Sequence, residues 1–260
     1  MDNLRRFWFQ ITSSRESAGL VIAFLTLFTV FLPHFLFIFV IFKLAYFFGL
    51  ELEKILQRKF LRIVPIVGLV GSLISPFAGV LFIFLTALGF GYFNVRLRGY
   101  YSADIFNRFV EDIFAGIYIS FSLDALIRIK EYSTPLLLSL VLSIWAADTA
   151  AYYVGKKFGK TPFARLLSPS KTFEGFLGGL IAGTLVGTVS STYFGLEFNS
   201  PLLWTTVVLI SVLGDLFESF IKRSFGVKDS SNLLGSHGGL LDRFDALLFA
   251  ALALASFLKF

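Results

Sequence analysis

Residues 201–245 read PLLWTTVVLISVLGDLFESFIKRSFGVKDSSNLLGSHGGLLDRFD. The stretch begins with an apolar run close to the length of a membrane helix and then becomes dense in ionisable residues and glycine. Ionisable side chains are costly to place in a membrane, so their concentration here indicates a site of chemistry or transport. The stretch therefore predicts a membrane-embedded helical fold and also the location of its functional site.

The composition of the whole chain agrees with an integral membrane protein. Its 260 residues are 56% hydrophobic and 15% charged, whereas soluble domains carry about 25% charged residues. The absence of Cys excludes a disulfide, a thiolate metal site and a cysteine nucleophile. The net charge of +6 is explained by membrane orientation and by attraction to anionic lipid or phosphate, because the basic residues lie between apolar runs. We expect no nucleic acid partner.

Apolar runs predict an all-α polytopic fold with about nine transmembrane helices. The runs lie near residues 18–32, 34–48, 61–75, 77–94, 109–127, 135–155, 173–194, 201–217 and 244–259. Prolines that can begin a helix without breaking it fall at four boundaries, at Pro33, Pro76, Pro135 and Pro201. The charged segment 49–62 is amphipathic, which predicts an interfacial helix or a loop.

The distribution of Lys and Arg predicts the orientation. Most of the 23 basic residues lie in five segments that share one side, namely 1–17, 49–62, 95–108, 156–172 and 218–243. The positive-inside rule then places the N-terminus in the cytoplasm and the C-terminus outside, with the polar C-terminal segment on the cytoplasmic side of the plasma (inner) membrane. We expect residues 1–130 to form a scaffold that contacts lipid and a second copy, and residues 131–260 to form the catalytic region.

A polar helix face is predicted at the end of the run 201–217. Its members follow the spacing i, i+3, i+4, i+7 and are Asp215, Glu218, Ser219 and Lys222. Two acids one turn apart, followed by a cation, suit a divalent metal with a bound phosphate, because Mg²⁺ takes one or two carboxylates together with phosphate oxygens. A polar stripe that faces a neighbouring helix is the alternative.

A second pair of acids, Asp242 and Asp245, opens the last apolar run. The helix dipole alone would favour one acid there, but it does not explain the residues beside the pair. Gly238 and Gly239 allow backbone N–H groups to approach an anion closely, and Arg243 can bind phosphate oxygens. These residues together favour a phosphate-binding loop.

The loop between the two acidic pairs is basic and contains Lys222, Arg223 and Lys228. Positive-inside charge explains any one of them. A basic loop with acids on both sides is better explained by a metal–polyphosphate unit, which needs both signs of charge. The adjacent His237 is a candidate metal ligand or general base, and for a lone His a hydrogen-bonding or phosphate-orienting role is favoured.

Further candidates lie upstream. Asp148 is inside an apolar run, with Tyr152 one turn later, and is a functional candidate unless it only bonds a neighbouring helix. Residues 168–175 (SPSKTFEG) resemble a capped helix start able to bind an anion, with Lys171 and Thr172 as candidates. A glycine stripe follows, which favours close helix packing over ligand contact: Gly175, Gly178, Gly179 and Gly183. Acids of the N-terminal half show no such convergence and are interpreted as loop or interface groups, among them Glu111 and Asp112.

At these residues the chain resembles the CDP-diacylglycerol synthases, also called phosphatidate cytidylyltransferases. The motif of that family has the form S-x-x-K-R-x4-K-D-x7-H-G-G-x-x-D-R-x-D and is complete here, at Ser219, Lys222, Arg223, Lys228, Asp229, His237, Gly238, Gly239, Asp242, Arg243 and Asp245. The resemblance covers about residues 145–245, including Asp148 and SPSKTFEG. Two positions differ: Ser170 stands where the family often has Lys, and Gly235-Ser236 where it often has Pro-Gly.

The resemblance implies the reaction CTP + phosphatidate → CDP-diacylglycerol + pyrophosphate. It implies Mg²⁺, with a second metal ion of unknown identity also allowed, and the expected metal ligands are Asp215, Asp242 and Asp245, with Glu218 and Asp148 nearby. The expected catalytic residues are Asp215, Asp242, Asp245, Lys222 and His237. The expected substrate contacts are Lys171, Thr172, Ser219, Lys222, Arg223, Lys228, Asp229, His237, Gly238, Gly239 and Arg243. The glycine stripe also favours a homodimer.

Two other functions stay open at this point. A prenyl-phosphate sugar-phosphate transferase also uses intramembrane Asp pairs and Mg²⁺, but the spacing of the C-terminal motif argues against it. A cation-coupled transporter also binds ions through intramembrane acids. Against a transporter, the sequence shows no internal repeat, and its ionisable residues concentrate at one end of the predicted spans.

Overall fold

The computed structural model describes residues 15–99, 102–234 and 238–258. This part of the chain forms nine α-helices, a short 3₁₀ helix and a two-stranded sheet. In chain order they are α1 (Arg15–Phe31), α2 (His34–Ile55), α3 (Ile63–Ile74), α4 (Pro76–Arg98), α5 (Ala103–Tyr132), α6 (Thr134–Phe158), β1 (Pro162–Ala164), β2 (Ser168–Thr172), α7 (Phe173–Tyr193), α8 (Pro201–Ser224), the 3₁₀ helix (Leu241–Arg243) and α9 (Asp245–Ala255).

Five of the described helices are long and apolar enough to cross a membrane, judged by length and composition: α2, α4, α6, α7 and α8. Shorter apolar helices occupy Val21–Phe31, Ile63–Ile74 and Asp245–Ala255. Helix α5, which contains the predicted run 109–127, is not among the five. The helical class and the character of an integral membrane protein are supported, whereas the number of nine spans and the orientation stay predictions.

The helix boundaries follow local rules that were visible in the sequence. Pro76, Pro135 and Pro201 each lie in the first turn of a helix, because proline has no N–H to lose there. Helix α2 continues to Ile55, so the first half of segment 49–62 is neither a loop nor a separate interfacial helix. The extension is stabilised by burial, since Leu52 and Ile55 are almost fully covered.

The chain divides into two compact units, one made of residues 1–34 with 128–260 and the other of residues 35–127. The roles expected for residues 1–130 and 131–260 stay predictions.

The unit 35–127 contains a buried ion cluster. Arg58 donates from Nη1 to Glu111 Oε2 over 2.7 Å and from Nη2 to Asp112 Oδ1 over 2.9 Å. Arg58 and Asp112 are both buried. This corrects the interpretation of the two acids as loop or interface groups: they share one guanidinium, whose planar fork suits two acceptors.

In the other unit, α6 and α7 pack closely through the glycine stripe, as predicted. A Cβ atom at Gly175 would lie 2.7 Å from the carbonyl oxygen of Ala151, and one at Gly179 would lie 2.8 Å from that of Ala147. Only glycine permits such close approach of two helix backbones. The packing holds the polar face of α6 at a fixed distance from the start of α7.

The loop between α6 and α7 contains a hairpin that the all-α prediction did not include. Strand β1 pairs antiparallel with β2, with Pro162 opposite Thr172. At the base, the Glu174 carboxylate accepts hydrogen bonds from the backbone N–H groups of Lys160 and Thr161. Thr172 then caps α7, because its Oγ1 accepts from Gly175 N over 3.2 Å. The predicted helix start is confirmed.

Candidate active site

The unit formed by residues 1–34 and 128–260 encloses a cavity of about 1070 Å³. Its wall is built by α1, α6, the hairpin, α7, α8, the 3₁₀ helix and α9. The polar side chains of the wall are those of Asp148, Thr149, Tyr152, Lys156, Ser170, Lys171, Thr172, Ser211, Asp215, Lys222, Asp242, Arg243 and Asp245. The cavity wall therefore combines four acids and four cations with neutral polar and apolar side chains.

The cavity collects many of the residues predicted from sequence. Eight of them line it: Asp148, Lys171, Thr172, Asp215, Lys222, Asp242, Arg243 and Asp245. Two others, Glu218 and Ser219, are buried on α8, on the polar helix face that the spacing predicted. Arg223, Lys228 and Asp229 are exposed and are not part of the wall. His237 lies outside the described residues.

Three acids of the wall are close enough to interact. Asp215, on α8, lies near both Asp148 of α6 and Asp245 of α9 and repels each of them electrostatically. Asp245 is in turn close enough to Glu218 to be repelled by it. Acids from three helices thus converge, although α7 separates Asp148 from Asp215 in sequence and the loop after α8 separates Asp215 from Asp245.

The Glu218 carboxylate, which lies close to Asp245, has a hydrogen-bond partner at one of its two oxygens among the described residues. Glu218 Oε2 accepts from Lys222 Nζ over 2.6 Å, but its Oε1 is buried with no hydrogen-bond partner among the described residues. Two buried carboxyl groups in contact cannot both carry a full negative charge unless a proton or a cation lies between them. Glu218 Oε1 therefore retains an acceptor position close to Asp245.

The two wall lysines that form ion pairs with the acids, Lys171 and Lys222, have different environments. Lys222 donates to Glu218 and also to Asp242 Oδ1, the latter over 2.7 Å, and only 10% of its side chain is exposed. Lys171, from strand β2, donates to Asp215 Oδ2, and 27% of its side chain is exposed. Lys222 is therefore fixed between two acids, whereas Lys171 reaches a single acid from the edge of the cavity.

Asp242 fastens the loop that precedes it. Besides Lys222, its carboxylate accepts from Ser230 N over 3.0 Å and from Gly239 N over 2.7 Å. Burial alone would raise the pKa of Asp242, but the hydrogen bonds from Lys222, Gly239 and Ser230 outweigh it, so the pKa lies below its ordinary value. The anion that Gly239 binds in this structure is therefore Asp242.

Gly238 is required for that arrangement. Its φ is +78°, a conformation that residues with a Cβ rarely adopt. A Cβ atom there would also lie 2.6 Å from Asp242 Oδ2. The backbone conformation thus explains why glycine is needed at position 238, in addition to the anion contact expected from sequence.

The site fits Mg²⁺ with a nucleotide better than it fits a metal held by protein alone. Within residues 15–99, 102–234 and 238–258, no three His, Asp or Glu residues form a ready-made metal cage. Mg²⁺ does not need one, because it is bound by one or two carboxylates together with waters and substrate phosphates. Asp215 can supply such a carboxylate from the wall, with Asp148 and Asp245 beside it.

Sequence reasoning missed several parts of the wall. Ile22 of α1 lines the cavity together with Trp145 of α6, and no local pattern joins these distant segments. Phe163 of the hairpin stacks on Phe176 of α7 with ring centroids 4.7 Å apart, and both also line the cavity. Lys156 could have been found, because it is two helical turns after Asp148 on the same face of α6.

Comparison with known proteins identifies the family of the chain. Residues 13–260 match the cytidylyltransferase family. A phosphatidate cytidylyltransferase of Aquifex aeolicus (strain VF5) is 42% identical over 239 residues, which is 92% of this chain and 88% of the relative. One of Bacillus subtilis (strain 168) is 33% identical over 229 residues, 77% of this chain and 81% of the relative. The resemblance found in the motifs is confirmed, and the chain belongs to the cytidylyltransferase family.

Proposed function

We propose that the protein transfers the cytidylyl group of CTP to phosphatidate and releases pyrophosphate. The observation that carries the proposal is the cavity in which Asp215 and its neighbouring acids face Lys171, Lys222 and Arg243. Both signs of charge are needed to hold a polyphosphate with its metal. The names of the relatives from Aquifex aeolicus and Bacillus subtilis support the same reaction.

The proposed reaction does not need a strong general base. A phosphate oxygen of phosphatidate, already an anion, forms a bond to the α-phosphorus of CTP. The bond between the α-phosphorus and the oxygen bridging to the β-phosphorus breaks, and pyrophosphate leaves with that electron pair. Catalysis of such a step is mostly positioning and charge neutralisation. A site of fixed cations and acids, without an isolated strong base, is suited to it.

The residues divide into roles under this proposal. Asp215 and Asp245, with Asp148 and Glu218 nearby, would hold Mg²⁺, which when bound neutralises phosphate charge and polarises the phosphorus. Asp242 holds Ser230 and Gly239 through its carboxylate, and it would reach a second metal ion only by exchanging one of these partners or Lys222 for the ion. Lys171 and Arg243 bind phosphate oxygens from the cavity wall.

The structure gives less support to the other predicted substrate contacts, because they are occupied by structural hydrogen bonds or lie outside the cavity wall. Thr172 lines the cavity, but its hydroxyl caps α7. Arg223 donates to the Val227 carbonyl over 3.0 Å at the end of α8. Arg223, Lys228 and Asp229 would contact a substrate only where it extends beyond the cavity, and His237 keeps its proposed phosphate-orienting role.

We propose the following setting for the reaction. The protein lies in the plasma (inner) membrane with the cavity open to the cytoplasm, so CTP arrives from the cytosol and phosphatidate from the bilayer. The distribution of Lys and Arg supports this orientation. A homodimer is also proposed, with residues 1–130 contributing lipid and subunit contacts.

The test is release of pyrophosphate by the purified protein in detergent. We expect release that requires CTP, phosphatidate and Mg²⁺ together, and a loss of at least about a hundredfold in Asp215→Asn, because one of the few protein charges at the reacting phosphate is removed. Glu197→Gln, an exposed acid outside the cavity, is the matched control and should retain full activity.

Two outcomes would contradict the proposal. A folded protein that releases no pyrophosphate from CTP, but reacts with a sugar nucleotide, would favour the sugar-phosphate transferase. A protein inactive with both, but able to carry a cation flux into liposomes, would favour the transporter. Full activity of Asp215→Asn would remove Asp215 from the reaction whichever substrate is used.

A further inference from the structure

We infer that Lys171 is an exchangeable cation of the site. Its ammonium group neutralises Asp215 while no divalent ion is bound there, and it transfers to a phosphate oxygen of the nucleotide once the ion binds. The inference rests on the proposed function, because it concerns the same metal and the same nucleotide. It adds that metal binding and nucleotide binding are coupled through one side chain.

Lys171 and Lys222, the wall lysines that pair with acids, differ in how firmly they are held. Lys222 has two acid partners at 2.6 and 2.7 Å and is the more buried, so removing it from either acid would leave a buried charge unpaired. Lys171 has Asp215 as its hydrogen-bond partner, and about a third of the Asp215 side chain is exposed. An ion pair with this much access to solvent is weak enough to be exchanged.

The exchange requires movement of the Lys171 side chain alone. Lys171 precedes the residue that caps α7, and Thr172 is held by its bond to Gly175 N and by pairing with Pro162. Glu174 anchors the other end of the hairpin base through Thr161 N and Oγ1. The backbone at Lys171 is thus fixed, while its four-carbon side chain can sweep across the cavity wall.

A metal ion that approaches Asp215 would meet the positive charge of the Lys171 ammonium. Lys171 attracts Asp148, as Arg243 also does, and Lys171 donates directly to Asp215. Its ammonium therefore supplies the positive charge in contact with Asp215. A divalent ion binding to Asp215 must take the place of that ammonium, because two cations at the same carboxylate repel each other. The displaced ammonium then faces the phosphates that accompany the ion.

This exchange predicts opposite effects on two binding reactions. Lys171→Gln should bind Mn²⁺, used alone as the probe, about 1.5-fold to fivefold more tightly than the unaltered protein, which corresponds to removal of a partly exposed ion pair. The same variant should bind CTP in the presence of Mn²⁺ several-fold more weakly. A merely structural role for Lys171 would weaken both, because the site itself would lose its shape.

Binding of Mn²⁺ is measured by electron paramagnetic resonance of the free ion, with unfolding temperature recorded for every variant. Lys171→Arg retains the cation and should keep nearly unaltered Mn²⁺ affinity. Lys156→Gln removes a charge from the same cavity at a side chain whose ammonium lies over the Tyr152 ring. Tighter Mn²⁺ binding in Lys156→Gln equal to that in Lys171→Gln would overturn the inference, since cavity charge in general would then be responsible.

A second measurement needs no variant. The reactivity of Lys171 toward an acetylating reagent, followed by mass spectrometry, should rise when Mn²⁺ alone is added and fall again when CTP is added with it. Unchanged reactivity with saturating Mn²⁺ would also overturn the inference.

The same measurements distinguish failure of the proposed function from failure of the exchange. If the unaltered protein and Asp215→Asn bind Mn²⁺ equally, the metal site itself is misassigned. If Asp215→Asn abolishes binding and pyrophosphate is released from CTP, but Lys171→Gln binds Mn²⁺ no more tightly, only the exchange is wrong.

Discussion

The loop-fastening role of Asp242 leads to a prediction about stability that is separate from catalysis. Asp242→Asn preserves the size of the side chain and replaces one carboxylate oxygen by an amide nitrogen. In one orientation the amide nitrogen faces the ammonium of Lys222, and in the other it faces the N–H groups of Ser230 and Gly239. Both orientations place donor against donor, so no rotation of the amide restores the bonds.

The magnitude follows from the bonds that are lost. A hydrogen bond to a charged group contributes about 1.5–3 kcal/mol, and at least one is lost in either orientation of the amide. For a chain of this size a loss of 1 kcal/mol lowers the unfolding temperature by roughly 2–4 °C. We therefore expect Asp242→Asn to lower the apparent unfolding temperature by ~3–12 °C.

The assay is intrinsic tryptophan fluorescence during heating in detergent, at one scan rate for all variants because unfolding of such proteins is often irreversible. Asp229→Asn, the same substitution at an exposed acid of the same loop, should unfold within about 1 °C of the unaltered protein. An unchanged unfolding temperature in Asp242→Asn would refute the role as a loop anchor, whatever happens to activity.

Three further substitutions test other contacts by the same assay. Lys222→Met leaves the buried acids Glu218 and Asp242 without their shared cation and should cost about 3–5 kcal/mol; monodisperse protein with an unaltered unfolding temperature would contradict this. Gly238→Ala should cost about 1–3 kcal/mol because the backbone there is left-handed, and the same mutation should lower pyrophosphate release by disturbing the carboxylate beside it. Gly179→Val should separate α6 from α7 and destabilise by about 1–3 kcal/mol, whereas indifference to the added side chain would show that the helices are not closely packed.

The parts of the site that were predictable from sequence are those fixed within one helix. Helical periodicity alone places Asp215 and Lys222 on one face of α8, and the preference for threonine at a helix N-cap locates the start of α7 at Phe173. The glycine stripe was predictable for a similar reason, because its spacing and its lack of side chains serve a single purpose in a membrane. These features depend on neighbours within a few residues.

The remaining parts depend on contacts between distant segments. The family resemblance implied that Asp242 is a metal ligand, but it could not show that Ser230 and Gly239 already donate to its carboxylate. The hairpin was not predictable from sequence because its strands have only three and five residues. They also contain Pro162 and Pro169 and show little alternation of apolar and polar residues. The buried partnership of Arg58 with Asp112 joins α5 to the turn after α2, a pairing for which the sequence offers no local signal.

The position of α1 sets an order of events for synthesis of the protein. Lys130 Nζ donates to the carbonyl of Val30 over 2.5 Å, across 100 residues of sequence. At about 5–20 residues per second, the ribosome adds that intervening chain in roughly 5–20 s. During that interval α1 has none of its later partners from α5 and α6, so the first wall of the cavity must be retained by lipid or by the insertion machinery until the others arrive.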